Sequence, residues 1–327
     1  MKEKKFEKLE NIISKEYSNI VGMVIIKDNK TIYEKYFNNC SADNRIHIFS
    51  ITKSILSILF GIALDKGYIK SVDQKILEFF PEYTVKKGEK TIQNITIKDM
   101  LTMTAPYKYL FAPYKKYFIS TDWVKFSLNL IGGKGKIGKF RYAPLIGPDI
   151  LSGILERTTG LTVLEFAKNN LFLPLGICVE KDIVFHNKEE QMRFNKSTKY
   201  NGWVADPKGV NTGAWGLTLS PMDMAKIGQM LLNGGVWNGR TIVSKEWITE
   251  STSEHSTWKQ KKLSYGYLWW ISNDEESGFA AMGDGGNILY VNTKRNMVVA
   301  ITSVFVPRAK DRIAFIKKYI ENDEFTI

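Results

Sequence analysis

Between Phe49 and Leu64 the chain reads FSITKSILSILFGIAL, and from Ile55 onward apolar residues fill nearly every position, leaving almost no polar stripe. A helix that is hydrophobic on all sides belongs inside a core rather than on a surface. The flanking segments follow other patterns. The opening residues, to about Ser18, read as a charged helix, and IVGMVIIKDNKTIYEKYF follows as two β-rich runs around Asp28-Asn29, a hairpin signal. From about Ile69 to Asp206 come helix-like segments such as TIKDMLTMT, TDWVKFSLNLIG, PDILSGILERTTG and TVLEFAKNNLF, several of them closed by Gly, Pro or Asn.

A further helix is predicted at SPMDMAKIGQMLLNGG, where Ser220 suits the N-cap, Pro221 the first helical position, and Gly234-Gly235 the stop. The last third carries YGYLWWIS, GFAAMGD, NILYVNT and MVVAITSVF, apolar or alternating runs separated by turn residues, and then a helical DRIAFIKKYI. Strands early and late with helices between them predict an α+β fold, an antiparallel sheet assembled from both chain ends with a mainly helical lobe inserted. The expected lobes are residues 1–68 with 207–327, and residues 69–206, with the active site in the cleft between them. No internal repeat or low-complexity tract interrupts the chain.

Composition narrows the picture. At 327 residues with 44% hydrophobic content, the chain can bury a substantial core as one large domain or two lobes. A formal charge of +12 would suit nucleic acid or anionic lipid, but the excess is mostly lysine scattered along the chain. The densest basic cluster, GGKGKIGKF, has no interleaved aromatic ladder on which bases could stack, so a solvated lysine surface is expected and no nucleic-acid partner. Cys40 and Cys178 lie far apart and in no metal-ligand spacing; they read as plain thiols, with no metal or other cofactor implied. The N-terminus lacks a continuous apolar signal region and no stretch approaches a membrane span, which points to a cytoplasmic protein with no membrane partner.

The polar first turn of the apolar helix raises the chemical question. Ser50 and Lys53 stand three residues apart, so on a helix starting near Ser50 their side chains share a face. Burial against a core disfavours an ammonium, and a neutral lysine beside a serine hydroxyl is a nucleophile with its base. An N-cap serine followed by a snorkelling lysine fits the same spacing. Ser256 and Lys259 repeat the S-x-x-K pattern, but in the polar STSEHSTWKQKKLS, which leaves the lysine in water and the serine on the surface. No G-x-S-x-G occurs, and Gly133 to Lys139 fails as a phosphate loop because Phe140 replaces the required Ser or Thr. His47, His186 and His255 are too dispersed for a metal motif and read as structural or surface residues.

Several blocks in order then resemble one family. SITKS with LFGIALDKGYIKSVD is similar to the nucleophile helix of the serine β-lactamase-related hydrolases, which include class C β-lactamases, penicillin-binding DD-peptidases, carboxylesterases and 6-aminohexanoate-dimer hydrolases. ITIKDMLTMT, RYAPLIGPDILSGILERTTG followed by PLGI, WGLTLSPMDMAKIGQMLLNGG and MGDGGNILYV resemble that family's further blocks, in its order and across nearly the whole chain. The resemblance implies a β-lactamase/transpeptidase-like fold, with Ser50 as acylated nucleophile, Lys53 as partner base and Tyr142, from the Y-x-N motif, as proton shuttle. It also implies an oxyanion site between the backbone N–H groups of Ser50 and Asn287, with Gly285 and Gly286 letting substrate approach.

Two positions depart from the family pattern. Pro144 stands where Y-x-N has asparagine and offers neither a side-chain amide nor an N–H. Asp284 stands where the K-T-G motif places a cationic or neutral group, so its carboxylate would repel the carboxylate of β-lactams and D-Ala-D-Ala peptides and would accept an amine. The reading is a serine hydrolase acting on a small ester or amide and weak on β-lactams. A β-lactamase or DD-peptidase, and a non-catalytic binding or sensor protein on the same fold, are the alternatives.

Overall fold

The computed structural model describes residues 2–272 and 278–322. Its centre is an eight-stranded, wholly antiparallel sheet. The strands run in the order Lys30–Tyr36, Ile20–Lys27, Met297–Ser303, Asn287–Asn292, Gly278–Gly283, Trp270–Ile271, Leu263–Tyr265, Ser256–Trp258. Both chain ends thus build one sheet, because the Ile20–Lys27 strand pairs with Met297–Ser303 from the other end, Met23 facing Ile301 and Ile25 facing Val299. The predicted hairpin closes at Asp28 and Asn29, whose φ values of 48° and 61° are both left-handed, as a two-residue hairpin turn requires.

Both faces of the sheet are covered, which is why its central strands read as unbroken apolar runs rather than alternating ones. On one face Met23, Ile25, Val299 and Ile301 pack with Leu9, Ile13, Phe315 and Ile316 from the terminal helices Lys2–Glu16 and Arg312–Tyr319. On the other, Val24, Ile26, Leu289 and Val298 join a larger core that contains the helices Ile51–Asp65 and Pro221–Leu232. Ser220 caps the latter by accepting from the Asp223 N–H while the Asp223 carboxylate accepts from the Ser220 N–H, and Pro221 follows the cap, as expected.

The apolar helix is buried from Ile51 to Ala63. Gly61 lets it lie against Trp247: a Cβ at that position would overlap the indole, whose Nε1–H donates to the Ser57 carbonyl at 3.0 Å. Between residues 69 and 206 the regular structure is mostly short helices, among them Ile97–Leu101, Trp123–Leu130 and Pro148–Thr159. A parallel strand pair, Lys181–Ile183 with Gly202–Val204, lies there too and carries little sequence signal at three residues per strand. The polar STSEHSTWKQKKLS segment is not plain surface. It forms the edge strand Ser256–Trp258 and most of the neighbouring strand Leu263–Tyr265, and the Ser256 hydroxyl donates to the Thr102 carbonyl at 2.7 Å while Lys259 is exposed. Cys40 and Cys178 are both free thiols.

Candidate active site

Ser50 sits at the N-cap of the apolar helix, but its hydroxyl makes no capping bond to the helix amides. The preceding residue forces this presentation. Phe49 has φ of 51°, a left-handed conformation rare for a bulky residue, held by the Thr52 hydroxyl on its carbonyl at 2.7 Å and by ring stacking with His47 at 3.9 Å. His47 is itself spoken for. Its Nε2 accepts from the Gly216 N–H at 3.0 Å, its Nδ1 faces Asn195 Oδ1 at 3.1 Å, and burial pushes its pKa down to about 3, so it is a neutral structural group.

Lys53 does not snorkel. It is 1% exposed, and its Nζ donates to Ser50 Oγ at 2.8 Å and to the Ala214 carbonyl at 2.8 Å. Burial lowers its pKa to about 7, with the negative charges of Asp284 and Asp149 working in the opposite direction. At neutral pH a large share of Lys53 is therefore uncharged, with a lone pair beside the serine hydroxyl.

Tyr142 reaches the same point from the loop before the Pro148–Thr159 helix. Lys53 Nζ lies 5.4 Å from the centre of its ring. Burial pushes the phenol up to about 12, with hydrogen bonding to Ser50 pulling it down and Asp284 and Tyr114 adding to the rise. The loop is fixed through Arg141: its N–H donates to the Met103 carbonyl at 2.8 Å, its guanidinium donates to the Tyr109 carbonyl at 2.6 Å and lies 4.7 Å from the centre of the Tyr109 ring. Trp258, stacked at 6.4 Å, and Trp270, at 5.4 Å, neighbour the Tyr142 ring. Pro144 follows two residues on, half-buried.

The third part of the site is the turn between strands Gly278–Gly283 and Asn287–Asn292. A Cβ at Gly283 would overlap the Ile48 carbonyl oxygen, so this glycine brings the turn against the backbone leading into Ser50. Gly285 and Gly286 have φ of 77° and 87°, and side chains there would meet the Phe305 backbone at 3.0 Å and the Arg312 guanidinium at 2.8 Å. The Asn287 side chain is saturated by the turn itself: Nδ2 donates to the carbonyls of Asp284 at 2.8 Å and Ser303 at 3.2 Å, and Oδ1 accepts from the Ser303 N–H at 2.9 Å. Asp284 is exposed, makes no ion pair among the described residues, and acts electrostatically on Lys53, Tyr142 and Tyr114.

Ser50, Lys53, Tyr142 and Asp284 thus come together, with Gly285, Gly286 and Asn287 on the adjoining turn. Sequence reasoning did not find the residues that hold these parts in place. Asn19 donates to the Gly285 carbonyl at 2.6 Å and the Val304 carbonyl at 3.0 Å, and in turn accepts from Arg312 at 2.8 Å. The Ala214 carbonyl accepts from Lys53 Nζ at 2.8 Å, and the charge of the buried Asp149 acts on Lys53. None of these carries a local motif; the Asn19 bond to Gly285 closes over 266 residues. Among the described residues no group of three or more His, Cys, Asp or Glu could hold a metal ion, and no helix is long and apolar enough to cross a membrane.

The Beta-lactamase family model matches residues 10–316. The chain belongs to that family, and with it to the serine hydrolases built on the β-lactamase/transpeptidase-like fold. It is 22% identical over 300 residues to the 6-aminohexanoate-dimer hydrolase of Paenarthrobacter ureafaciens, covering 85% of this chain and 71% of the relative. The octameric penicillin-binding protein homologue of Pyrococcus abyssi superposes with a TM-score of 0.73 at 20% identity, over 97% of this chain and 76% of that one. A family VIII carboxylesterase superposes with a TM-score of 0.71 at 14% identity, over 97% of each chain. At those identities the structural likeness establishes the fold.

Proposed function

We propose that the protein hydrolyses a small ester or amide through an acyl-enzyme at Ser50, in a cleft where residues 69–206 meet the sheet lobe formed by 1–68 and 207–327. The observation that carries this is the buried Lys53 nitrogen 2.8 Å from Ser50 Oγ. Neutral Lys53 takes the Ser50 proton as Oγ attacks the substrate carbonyl carbon. The resulting oxyanion lies at the start of the helix, where the Ser50 N–H has no protein acceptor among the described residues, with the Asn287 N–H as second donor. The proton held by Lys53 and Tyr142 then passes to the leaving oxygen or nitrogen, and the same groups activate a water that releases the acid.

Asp284 bears on the substrate. An exposed carboxylate with no ion pair among the described residues, at the edge of the site, favours a substrate with an amine and disfavours one with a carboxylate. Pro144, with no amide to offer, removes a polar contact for β-lactams at the Tyr142 loop. The relatives named a 6-aminohexanoate-dimer hydrolase and a carboxylesterase agree with amide or ester chemistry. Hydrolysis of p-nitrophenyl butyrate by the wild-type protein and by Ser50→Ala tests the reading: turnover that falls to background in the variant supports it, and equal turnover in both overturns it.

A further inference from the structure

Lys53 is held from two sides, by Ser50 and by the Ala214 carbonyl, yet Ala214 lies in a segment outside any helix or strand. What steadies that carbonyl is Asp149, in the first turn of the Pro148–Thr159 helix and 1% exposed. Asp149 Oδ1 accepts from the Thr212 hydroxyl at 2.7 Å and from the Gly213 N–H at 3.1 Å. Its Oδ2 accepts from the Tyr117 hydroxyl at 2.7 Å. Thr212 Oγ1 in turn accepts from the Ala214 N–H at 3.2 Å. The segment has no slack: a Cβ at Gly213 would come within 2.5 Å of the Pro148 carbonyl oxygen, 2.6 Å of Leu56 Cδ2 and 2.8 Å of Ser152 Oγ.

We infer that Asp149 is a positioning residue, which through Thr212 and Gly213 fixes the Ala214 carbonyl that holds Lys53 against Ser50. The inference rests on the reading of Ser50 and Lys53 as nucleophile and base. A buried carboxylate with three donors is an expensive way to anchor a turn unless the turn must be held closely, because desolvation of the charge has to be offset by all three bonds.

The charge contributes as well as the bonds. The ionisable groups facing Lys53 are Asp149 on one side, Asp284 from the sheet turn, and Tyr142 from its loop; those facing Asp149 are Tyr117, Tyr107 and Asp206, besides Lys53. Burial raises Asp149 to about 6 against the pull of its bonds from Tyr117, Thr212 and Gly213. When ionised, its charge favours the Lys53 ammonium. Removing that charge shifts Lys53 to release its proton at lower pH.

The test is a pH titration of the Lys53 Nζ resonance in 15N-lysine-labelled protein, assigned by its loss in Lys53→Arg, with kcat for p-nitrophenyl butyrate measured alongside. Asp149→Asn is nearly isosteric and keeps an oxygen for Thr212 and Gly213. In it the Lys53 midpoint is expected to fall by about half a unit or more, carrying the acid limb of the rate profile to lower pH with it, while the plateau kcat falls by about tenfold or more because a neutral amide holds Thr212 and Gly213, and through them the Ala214 carbonyl, less firmly than the carboxylate. Thr212→Val removes the hydroxyl between Asp149 and Ala214 but leaves the charge, so kcat is expected to fall with the midpoint unmoved. A folded Thr212→Val variant that keeps wild-type kcat overturns the inference, because the hydroxyl linking Asp149 to the Ala214 N–H would then be dispensable, and a folded Asp149→Asn variant whose Lys53 midpoint matches wild type overturns it as well, since a merely structural role would not move the titration. A wild-type protein in which Lys53 titrates near 7 but no ester is turned over would instead overturn the proposed function, and the Asp149→Asn shift would still decide this point.

Discussion

The Lys53 nitrogen lies 5.4 Å from the centre of the Tyr142 ring, and burial has moved the proton affinities of the two groups in opposite directions, the ammonium down to about 7 and the phenol up to about 12. Desolvation penalises whichever form is charged, so the same environment favours neutral lysine and neutral tyrosine. In the proposed mechanism they divide the proton work around Ser50: Lys53 is the group to accept at neutral pH, and Tyr142 the group that keeps a proton to give.

The pH dependence follows with a definite sign. A base that must be neutral is active above its pKa, so kcat/KM should climb through a midpoint near 7 and fall about tenfold per unit well below it. Tyr142, at about 12, should add no alkaline limb between pH 8 and 10. A pH-rate profile with p-nitrophenyl butyrate checks both limbs.

Tyr142→Phe should separate leaving groups. For alkyl esters and amides, whose leaving group needs a proton, the loss should be about 10²- to 10⁴-fold in kcat, the range of general acid catalysis. For p-nitrophenyl esters, whose phenolate leaves unaided, it should be smaller, and the limb near 7 should persist. Parallel kinetics on the two substrate types measures the difference.

Asp284→Asn should change selectivity more than turnover. An exposed carboxylate acting on an amine across a wet cleft contributes about 1 kcal/mol, so the preference for an amine-bearing ester over its neutral analogue should drop roughly fivefold to tenfold. Nitrocefin should be a poor substrate of the wild type, with kcat/KM below about 10⁵ M⁻¹s⁻¹, and should improve in the variant. Competition between paired esters and a nitrocefin assay read these effects.

Gly61→Val should destabilise the fold without touching the site chemistry. The new side chain would overlap Trp247, and overpacking of a close-packed core costs about 1–3 kcal/mol. A lower midpoint in urea denaturation, with the Lys53 titration retained, is the expected result.

Some of this was legible in the sequence and some was not, for physical reasons. The Ile51–Asp65 helix announced its burial by having almost no polar stripe, and Ser50 and Lys53, three residues apart at its start, share one face by helical geometry alone. The hairpin was readable because Asp28 and Asn29 tolerate left-handed backbone. The Ser256–Trp258 and Leu263–Tyr265 strands were hidden: each is three residues long, among polar neighbours, and set by pairing across the sheet edge. Spacing alone could not decide between a snorkelling Lys53 and a buried one. That outcome depends on the Ala214 carbonyl 161 residues away, and the groups steadying that carbonyl meet across 63 residues between Asp149 and Thr212. Such contacts leave no local pattern.

The central claim is that Ser50 is the nucleophile, and covalent labelling addresses it most directly. A fluorophosphonate should form a bond from phosphorus to Ser50 Oγ with loss of fluoride, giving one adduct that peptide mass spectrometry places at Ser50 and that vanishes in Ser50→Ala. Labelling at Ser256 or another serine, or a wild-type protein left unmodified by the reagent, would contradict the account.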